Sequence, residues 1–363
     1  MKACLLALGL FLLPTLSHSQ KTERWSFAVS GDSRNCGDIV MPAIAAGVHS
    51  DGAKFYWHLG DFRWIYDFDQ DFLSSPQYRD GKQHLSIFDY QRLAWNDFIA
   101  QQLVPFGETP VHLGIGNHEL VPPFTRADYL QQFADWLETP ELRAQRLKDD
   151  PGDHKLRTYY RWIESGVDFM SLDNASHDQF DDAQVRWIEQ TLGRDQADPS
   201  VHSVVLGMHE ALPDSLSAGH SMNESAQEER SGRRVYQDLV QFRARTHKPV
   251  YVLASHSHFF MTDIYKDACH SQPKSVLPGW IVGTAGAQRY RLPKNAGEGK
   301  AQTDVYGYLL GTVSPNGEIQ FQFKEVTPSG VPASVTERYG QKQVDACFSG
   351  NQVPYVPDGP ACK

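Results

Sequence analysis

The stretch "VLASHSHFF", residues 252–260, ends an apolar run with two histidines one residue apart, His256 and His258. In an extended chain, side chains at i and i+2 share one face, so both imidazoles leave one strand end in the same direction. A buried strand needs neither ring. The pair therefore points to chemistry shared with other parts of the chain.

The same pattern recurs upstream. The apolar runs "WSFAVSG" (25–31), "KFYWHLG" (54–60) and "VHLGIG" (111–116) lead into Asp32, Asp61 and Asn117-His118, and "HSVVLGMH" (202–209) closes on His209. Helical spacing lies between such runs, near 39–48, 87–103, 125–138, 181–193 and 224–246. Strands alternating with helices indicate an α/β domain with a mostly parallel sheet. The helix over 181–193 is expected to be capped by Asp181 or Asp182 and stopped by Gly193. "YYRWIESGVDFMSLDN" (159–174) reads as a hairpin turning at Ser165-Gly166, and 277–326 reads as antiparallel strands. Residues 67–86 read as a long loop. Its Asp67, Asp69 and Asp71 lack the glycine and closing glutamate of a calcium loop, so a solvated acidic segment is expected.

Residues 1–19, "MKACLLALGLFLLPTLSHS", combine Lys2, an apolar run and small residues at the end, the pattern of a secretory signal peptide. Export to a secreted or periplasmic location is expected, with the mature chain starting at Gln20. No other stretch approaches the length of a membrane span. Cys36, Cys269, Cys347 and Cys362 then remain in an oxidising compartment, where disulfides persist. Cys347 with Cys362 and Cys36 with Cys269 are the pairings favoured here. The formal charge is −10, or −11 once Lys2 is lost. Such a balance argues against a nucleic-acid or anionic-membrane surface, which would need clustered Lys and Arg. Oligomeric state is left open. The expected organisation is a signal peptide (1–19), one catalytic domain (20–330) and a disulfide-stapled tail (331–363).

In open α/β sheets the carboxyl ends of the strands line one crevice, so Asp32, Asp61, Asn117, His118, His209, His256 and His258 are expected to converge. Taken singly, each has a plain structural reading: Gly-Asp as a helix-capping turn, Asn117 as a left-handed turn, His209 as a satisfied core histidine. Their joint occurrence after apolar strands favours a metal site, with oxygen and imidazole donors suited to Zn, Mn or Fe. His220 and Ser221, in the loop "GHSMNES" (219–225), are weaker candidates for substrate contact. Asn174-Ala175-Ser176 and Asn223-Glu224-Ser225 match glycosylation sequons, a pattern common by chance.

These blocks resemble the calcineurin-like metallophosphoesterases, including the purple acid phosphatases, over roughly residues 25–260. "GNHE" (116–119) matches the group's pattern fully, "GD" (60–61) and the strand-terminal His209 match, and "SHSH" (255–258) departs by Ser255 in place of Gly. The resemblance implies a four-layer α-β-β-α sandwich and an enzyme that hydrolyses a small phosphoester with metal-activated water. It implies two divalent or Fe/Zn/Mn-type ions bridged by Asp61, one also held by Asn117, His209 and His256, the other by Asp32 and His258. His118 would act as an acid or electrostatic group, and Glu119 would orient His118 or a ligating ring. Two positions depart: Arg34 stands where most of the group has a ligating His, and Trp64 where purple acid phosphatases have Tyr. The second ion is thus one ligand short, with water or the Asn35 carbonyl as substitutes and Tyr66 out of register; the alternative is that this site is weak and the enzyme works with one firmly held ion. Arg34 would instead grip phosphate or serve as a plain surface or structural arginine. A phosphomonoesterase is the first reading. A phosphodiesterase acting on cyclic nucleotides or nucleic-acid ends, and a degenerate binder without turnover, are the alternatives.

Overall fold

The computed structural model of the chain describes residues 23–175, 180–266, 275–294, 296–297 and 300–354. The segment expected to be a leader, Cys269 and Cys362 lie outside the described residues. No helix among them is long and apolar enough to cross a membrane.

The apolar runs form strands, β1 (Trp25–Ser30), β2 (Tyr56–His58), β3 (Val111–Leu113), β4 (Tyr160–Glu164), β5 (Val167–Ser171) and β6 (Ser203–Met208). They continue with β7 (Val250–Ala254), β8 (Phe260–Thr262), β9 (Gly279–Val282), β10 (Ala301–Gln302), β11 (Tyr306–Val313) and β12 (Ile319–Val326). The class is mixed α/β, with two multi-stranded sheets and helices. One sheet runs β12-β11-β1-β2-β3 and the other β10-β8-β9-β7-β6-β5-β4. Within them β1, β2 and β3 are parallel, as are β5, β6, β7 and β9.

Period-two alternation explains why these strands are apolar on both sides. Val205, Tyr251 and Leu253 join Phe27, Val29 and Trp57 of the other sheet in one cluster, while Val204, Leu206 and Val252 pack against the helices Asp182–Ala197 and Ala226–Thr246. Ala28 and Tyr56 face the helix Gly37–Ser50. Gly207 permits the closest approach between sheets, since a Cβ there would lie 2.2 Å from the Trp57 ring.

Several expectations are corrected. Gly193 does not stop its helix, which is capped by Asp181 and continues to Ala197. Gly193 is exposed and a Cβ there would meet nothing within 4 Å, so it carries only a small propensity cost. The helix ends at Asp198 instead, because the residue before Pro199 is disfavoured in helical conformation. In the segment 277–326, β11 and β12 are antiparallel as expected, but β9 runs parallel to β7. The hairpin turns at Ser165 and Gly166, both with positive φ, as a tight two-residue turn requires.

Neither favoured disulfide forms, because Cys36 bonds Cys347 across 311 residues. The helix Gln341–Gly350, which carries Cys347, packs in the same cluster as the helix Gly37–Ser50. Tyr339 adds a hydrogen bond to Asp38 at 2.9 Å.

The 67–86 segment is solvated at Asp67 and over most of 76–86, but not at Asp69 and Asp71. It contains the short helix Gln70–Ser74, and Asp69 and Asp71 are fully buried. They surround Arg63, itself fully buried, together with Asp38 and Asp97. Burial of charged residues is tolerable here because a guanidinium offers several donors to carboxylates.

Candidate metal centre

Three strand ends turn sharply toward one cluster of buried side chains. Asp32, Asp61 and His256 have φ of 60°, 61° and 63°. A non-glycine residue held there costs about 1–3 kcal/mol, so its surroundings must over-determine it. The Asp32 N–H donates to Gly60 O at 3.0 Å and the Ser33 N–H to Asp61 O at 2.9 Å. The His256 N–H donates to Asp32 Oδ2 at 2.7 Å. The "GD" and "GNHE" turns meet backbone to backbone. A Cβ on Gly60 would lie 2.3 Å from Gly116 N, and one on Gly116 would lie 2.3 Å from Asp61 Oδ1.

Glu119 holds these two turns together. Its carboxylate accepts the N–H groups of Asp61 (2.8 Å), Phe62 (2.9 Å) and Gly116 (2.8 Å). The sequence expectation that it orients His118 or a ligating ring is corrected: it holds the backbone that presents Asp61. Burial, with Asp61 close by, pushes its carboxyl up to about 8 against those three bonds. Replacing Glu119 with Gln removes one acceptor from the three-bond set. Metal affinity is expected to fall about 10–100-fold with the Asp61 turn loosened, which isothermal titration with Mn²⁺ or Zn²⁺ would read. Unchanged affinity would leave Glu119 without a positioning role.

The first group of donors meets around His209. Its Nδ1 lies 3.1 Å from Leu59 O and 3.1 Å from Ser255 Oγ, whose own hydroxyl donates to Leu59 O. A carbonyl only accepts, so Nδ1 carries the hydrogen and Nε2 a lone pair. That lone pair faces Asn117 Oδ1 at 2.9 Å, Asp61 Oδ1 at 3.3 Å and His256 Nδ1 at 2.9 Å. Among the described residues, Asp61, His209 and His256 form a group able to hold a metal ion. With the His256 hydrogen on Nε2 these are all lone-pair atoms, which repel unless a cation lies among them. These residues therefore fit an ion.

Two residues behind His209 were not legible as parts of the site. Ser255 looked like a mere departure from Gly, yet its hydroxyl helps set the tautomer of His209. Asn174 looked like a sequon, but it is buried and its Oδ1 accepts the N–H groups of His209 and Glu210, each at 3.1 Å. No sequence signal marks an asparagine as a backbone clamp for a distant strand.

The second group of donors is differently composed. His258 Nδ1 lies 2.6 Å from Gln288 O, so its Nε2 carries the lone pair. Arg34 Nη2 donates to it at 2.8 Å. Asp32 Oδ1 lies 3.3 Å from the same nitrogen, and Arg34 Nε 3.8 Å from Asp61 Oδ2. Asp32 Oδ1 and Asp61 Oδ2 have no hydrogen-bond partner. Although burial pushes the Asp32 carboxyl up, His258, His209 and Arg34 hold it well below the usual carboxylate range. A second ion does not fit here, since the imidazole lone pair it needs is taken by a permanent cation.

The remaining expectations resolve locally. His118 Nδ1 lies 2.6 Å from Trp64 O and its Nε2 2.5 Å from Arg34 Nη1, so Nε2 accepts. Burial, and then Arg34, push the ring down to about 4. Asn35 supplies no ligand to the pocket, because its Oδ1 accepts the Gln288 N–H at 3.1 Å. Tyr66 is largely exposed, with its ring 5.1 Å from that of His118. His220 reaches the pocket, 4.8 Å from the His256 ring. Ser221 is buried and bonds Ser215 and Ser217 instead.

No protein-family model matches the chain, and no curated protein is similar to it in sequence. Among solved structures, PhoD shares 13% identity over 90% of this chain and 77% of its own, with a TM-score of 0.49. An enoyl-CoA hydrotase/isomerase family protein from Silicibacter pomeroyi shares 18% identity over 27% of this chain and 42% of its own, at 0.18. At these values neither likeness says what the site does.

Proposed function

We propose that the protein is an exported, metal-dependent phosphoesterase of the calcineurin-like metallophosphoesterase type, acting first of all on phosphomonoesters. The carrying observation is the ring of lone pairs around His209 Nε2, built from Asp61, Asn117 and His256, with Arg34 alongside. The sequence resemblance, "GNHE" above all, supports the same reading. A four-layer α-β-β-α sandwich goes with it, supported by one apolar cluster shared between the sheets and separate clusters against the helices.

An ion held by Asp61, Asn117, His209 and His256 supplies Lewis acidity to a phosphoryl oxygen and to water. The rest falls to the chain's own side chains. Arg34 offers N–H donors and a fixed positive charge to phosphoryl oxygens. His118, an acceptor at Nε2, positions that guanidinium rather than carrying a proton to the leaving group. Asp32 takes the His256 N–H and so sets the angle at which that ring enters the pocket.

The test is hydrolysis of a nitrophenyl phosphate monoester and its bis-ester by wild type and His118→Ala, before and after chelation. Monoester hydrolysis lost on chelation and regained with added ions is the expected result. His118→Ala, which frees the Arg34 guanidinium, should lower kcat about 10–100-fold with metal content intact. Faster turnover of the bis-ester would make the protein a phosphodiesterase. Bound ions with no ester hydrolysed would make it a binder without turnover, which the Arg34 arrangement favours as second reading.

A further inference from the structure

Resting on the metal-dependent site proposed above, we infer that the Arg34 guanidinium takes the seat of the second ion, so that each chain holds a single metal ion beside a built-in cation.

The placement of hydrogens carries this. His258 Nδ1 and His118 Nδ1 each face a backbone carbonyl, Gln288 O and Trp64 O, at 2.6 Å. Both rings therefore aim an Nε2 lone pair at the guanidinium, which can only donate. The contacts are 2.8 Å from Nη2 to His258 and 2.5 Å from Nη1 to His118. An ion in this seat would need the His258 lone pair. Without it, only Asp32 Oδ1 and Asp61 Oδ2 remain, fewer donors than transition-metal sites use. A divalent ion within hydrogen-bonding reach of a guanidinium is also repelled by it, and arginine does not lose its charge.

The turn that delivers Arg34 is also held in place. The Asn35 N–H donates to buried Asp69 at 2.6 Å, the Asn35 backbone carbonyl accepts the Asp71 N–H at 3.0 Å, and the Asn35 side-chain Oδ1 accepts the Gln288 N–H at 3.1 Å. Cys36 is bonded to Cys347. These ties on the two following residues pin the turn that delivers the guanidinium, which is 7% exposed. Arg34 Nε is buried without a hydrogen-bond partner and lies 3.8 Å from Asp61 Oδ2, which sets the positive charge against the shared carboxylate. The charge of the missing dication is replaced by a smaller, planar and non-exchangeable one.

The experiment counts ions. Wild type, Arg34→His and Arg34→Gln are loaded with Mn²⁺, dialysed and assayed for metal per chain, with electron paramagnetic resonance of the bound Mn²⁺. Wild type is expected to hold one ion with the signal of an isolated centre. Arg34→His, which frees His258 and adds an imidazole, should hold two with a spin-coupled signal, and Arg34→Gln should gain a second, weaker one. Two tightly held ions in wild type overturn the inference, as does a single ion in both variants. If neither variant folds, the wild-type count alone decides. Ester hydrolysis is not read, so an inactive protein holding one ion keeps the inference while the phosphoesterase reading falls. A wild type that binds no ion removes both.

Discussion

Replacing Asp61 with asparagine lowers kcat/KM by at least about 10³-fold, about 4 kcal/mol of transition-state stabilisation, and strips the metal from the protein. Asparagine is the informative choice because it tolerates the left-handed backbone that Asp61 adopts at φ 61°. The change therefore removes charge and a donor oxygen without disturbing the turn. Asp61 Oδ1 accepts the His118 N–H at 3.0 Å and lies 3.3 Å from His209 Nε2, while Oδ2 faces Arg34 Nε at 3.8 Å. An amide can replace one oxygen but not both. Wherever its NH₂ lands, it sets a donor against Arg34 or inside the ring of lone pairs. Elemental analysis and steady-state kinetics on the same sample read both effects. Metal retained with kcat/KM within tenfold of wild type would show that Asp61 is not a ligand.

The second large effect concerns folding. Arg63→Met is expected to destabilise the protein by about 4 kcal/mol, the scale on which a buried ion network fails when one partner is removed. Arg63 is fully buried, 2.5 Å from Asp38, 3.4 Å from Asp69 and 3.5 Å from Asp71, and it also donates to Asp97. Among the described residues one cation serves four carboxylates. Burial raises the carboxyls of Asp69, Asp71 and Asp97, the last to about 7. Between the unfolded pKa near 4 and these raised values the folded state binds more protons, so this knot contributes less stability as pH rises through that window. Removing the guanidinium widens the window upward. Denaturant unfolding at pH 5 and pH 8 should show the larger deficit at pH 8, with partial recovery at pH 5 as the carboxylates take protons. A loss below about 1 kcal/mol at both pH values would mean that methionine packing replaces the network.

That knot and the metal centre are neighbours by construction. Arg63 follows the Asp61-Phe62 pair whose N–H groups Glu119 holds, and Asp38 lies on the helix that starts next to Cys36. Through Asp38, Tyr339 of the C-terminal segment bonds into the same knot. The tail thus bears on the rigidity of the turns that carry Asp61 and Arg34.

Asp32, Asp61, Asn117, His209, His256 and His258 could be placed at strand ends from the chain alone. Period-two burial is a local property of extended backbone, and a polar residue closing an apolar run is visible without knowing what the strand pairs with. The hairpin at Ser165-Gly166 and the mixed α/β class were legible for the same reason. Other features depend on which surfaces dock, and no local period encodes that. Asp69 and Asp71 read as solvated because their counter-ion, Arg63, becomes theirs only when the loop folds over it. Cys36 found Cys347 rather than Cys269 because the last helix packs on the first. Arg34 was visible as a departure from a ligating histidine. Its lodging between His118 and His258, 84 and 224 residues away, was decided by tertiary structure, since a long flexible cation is placed by the lone pairs that surround it.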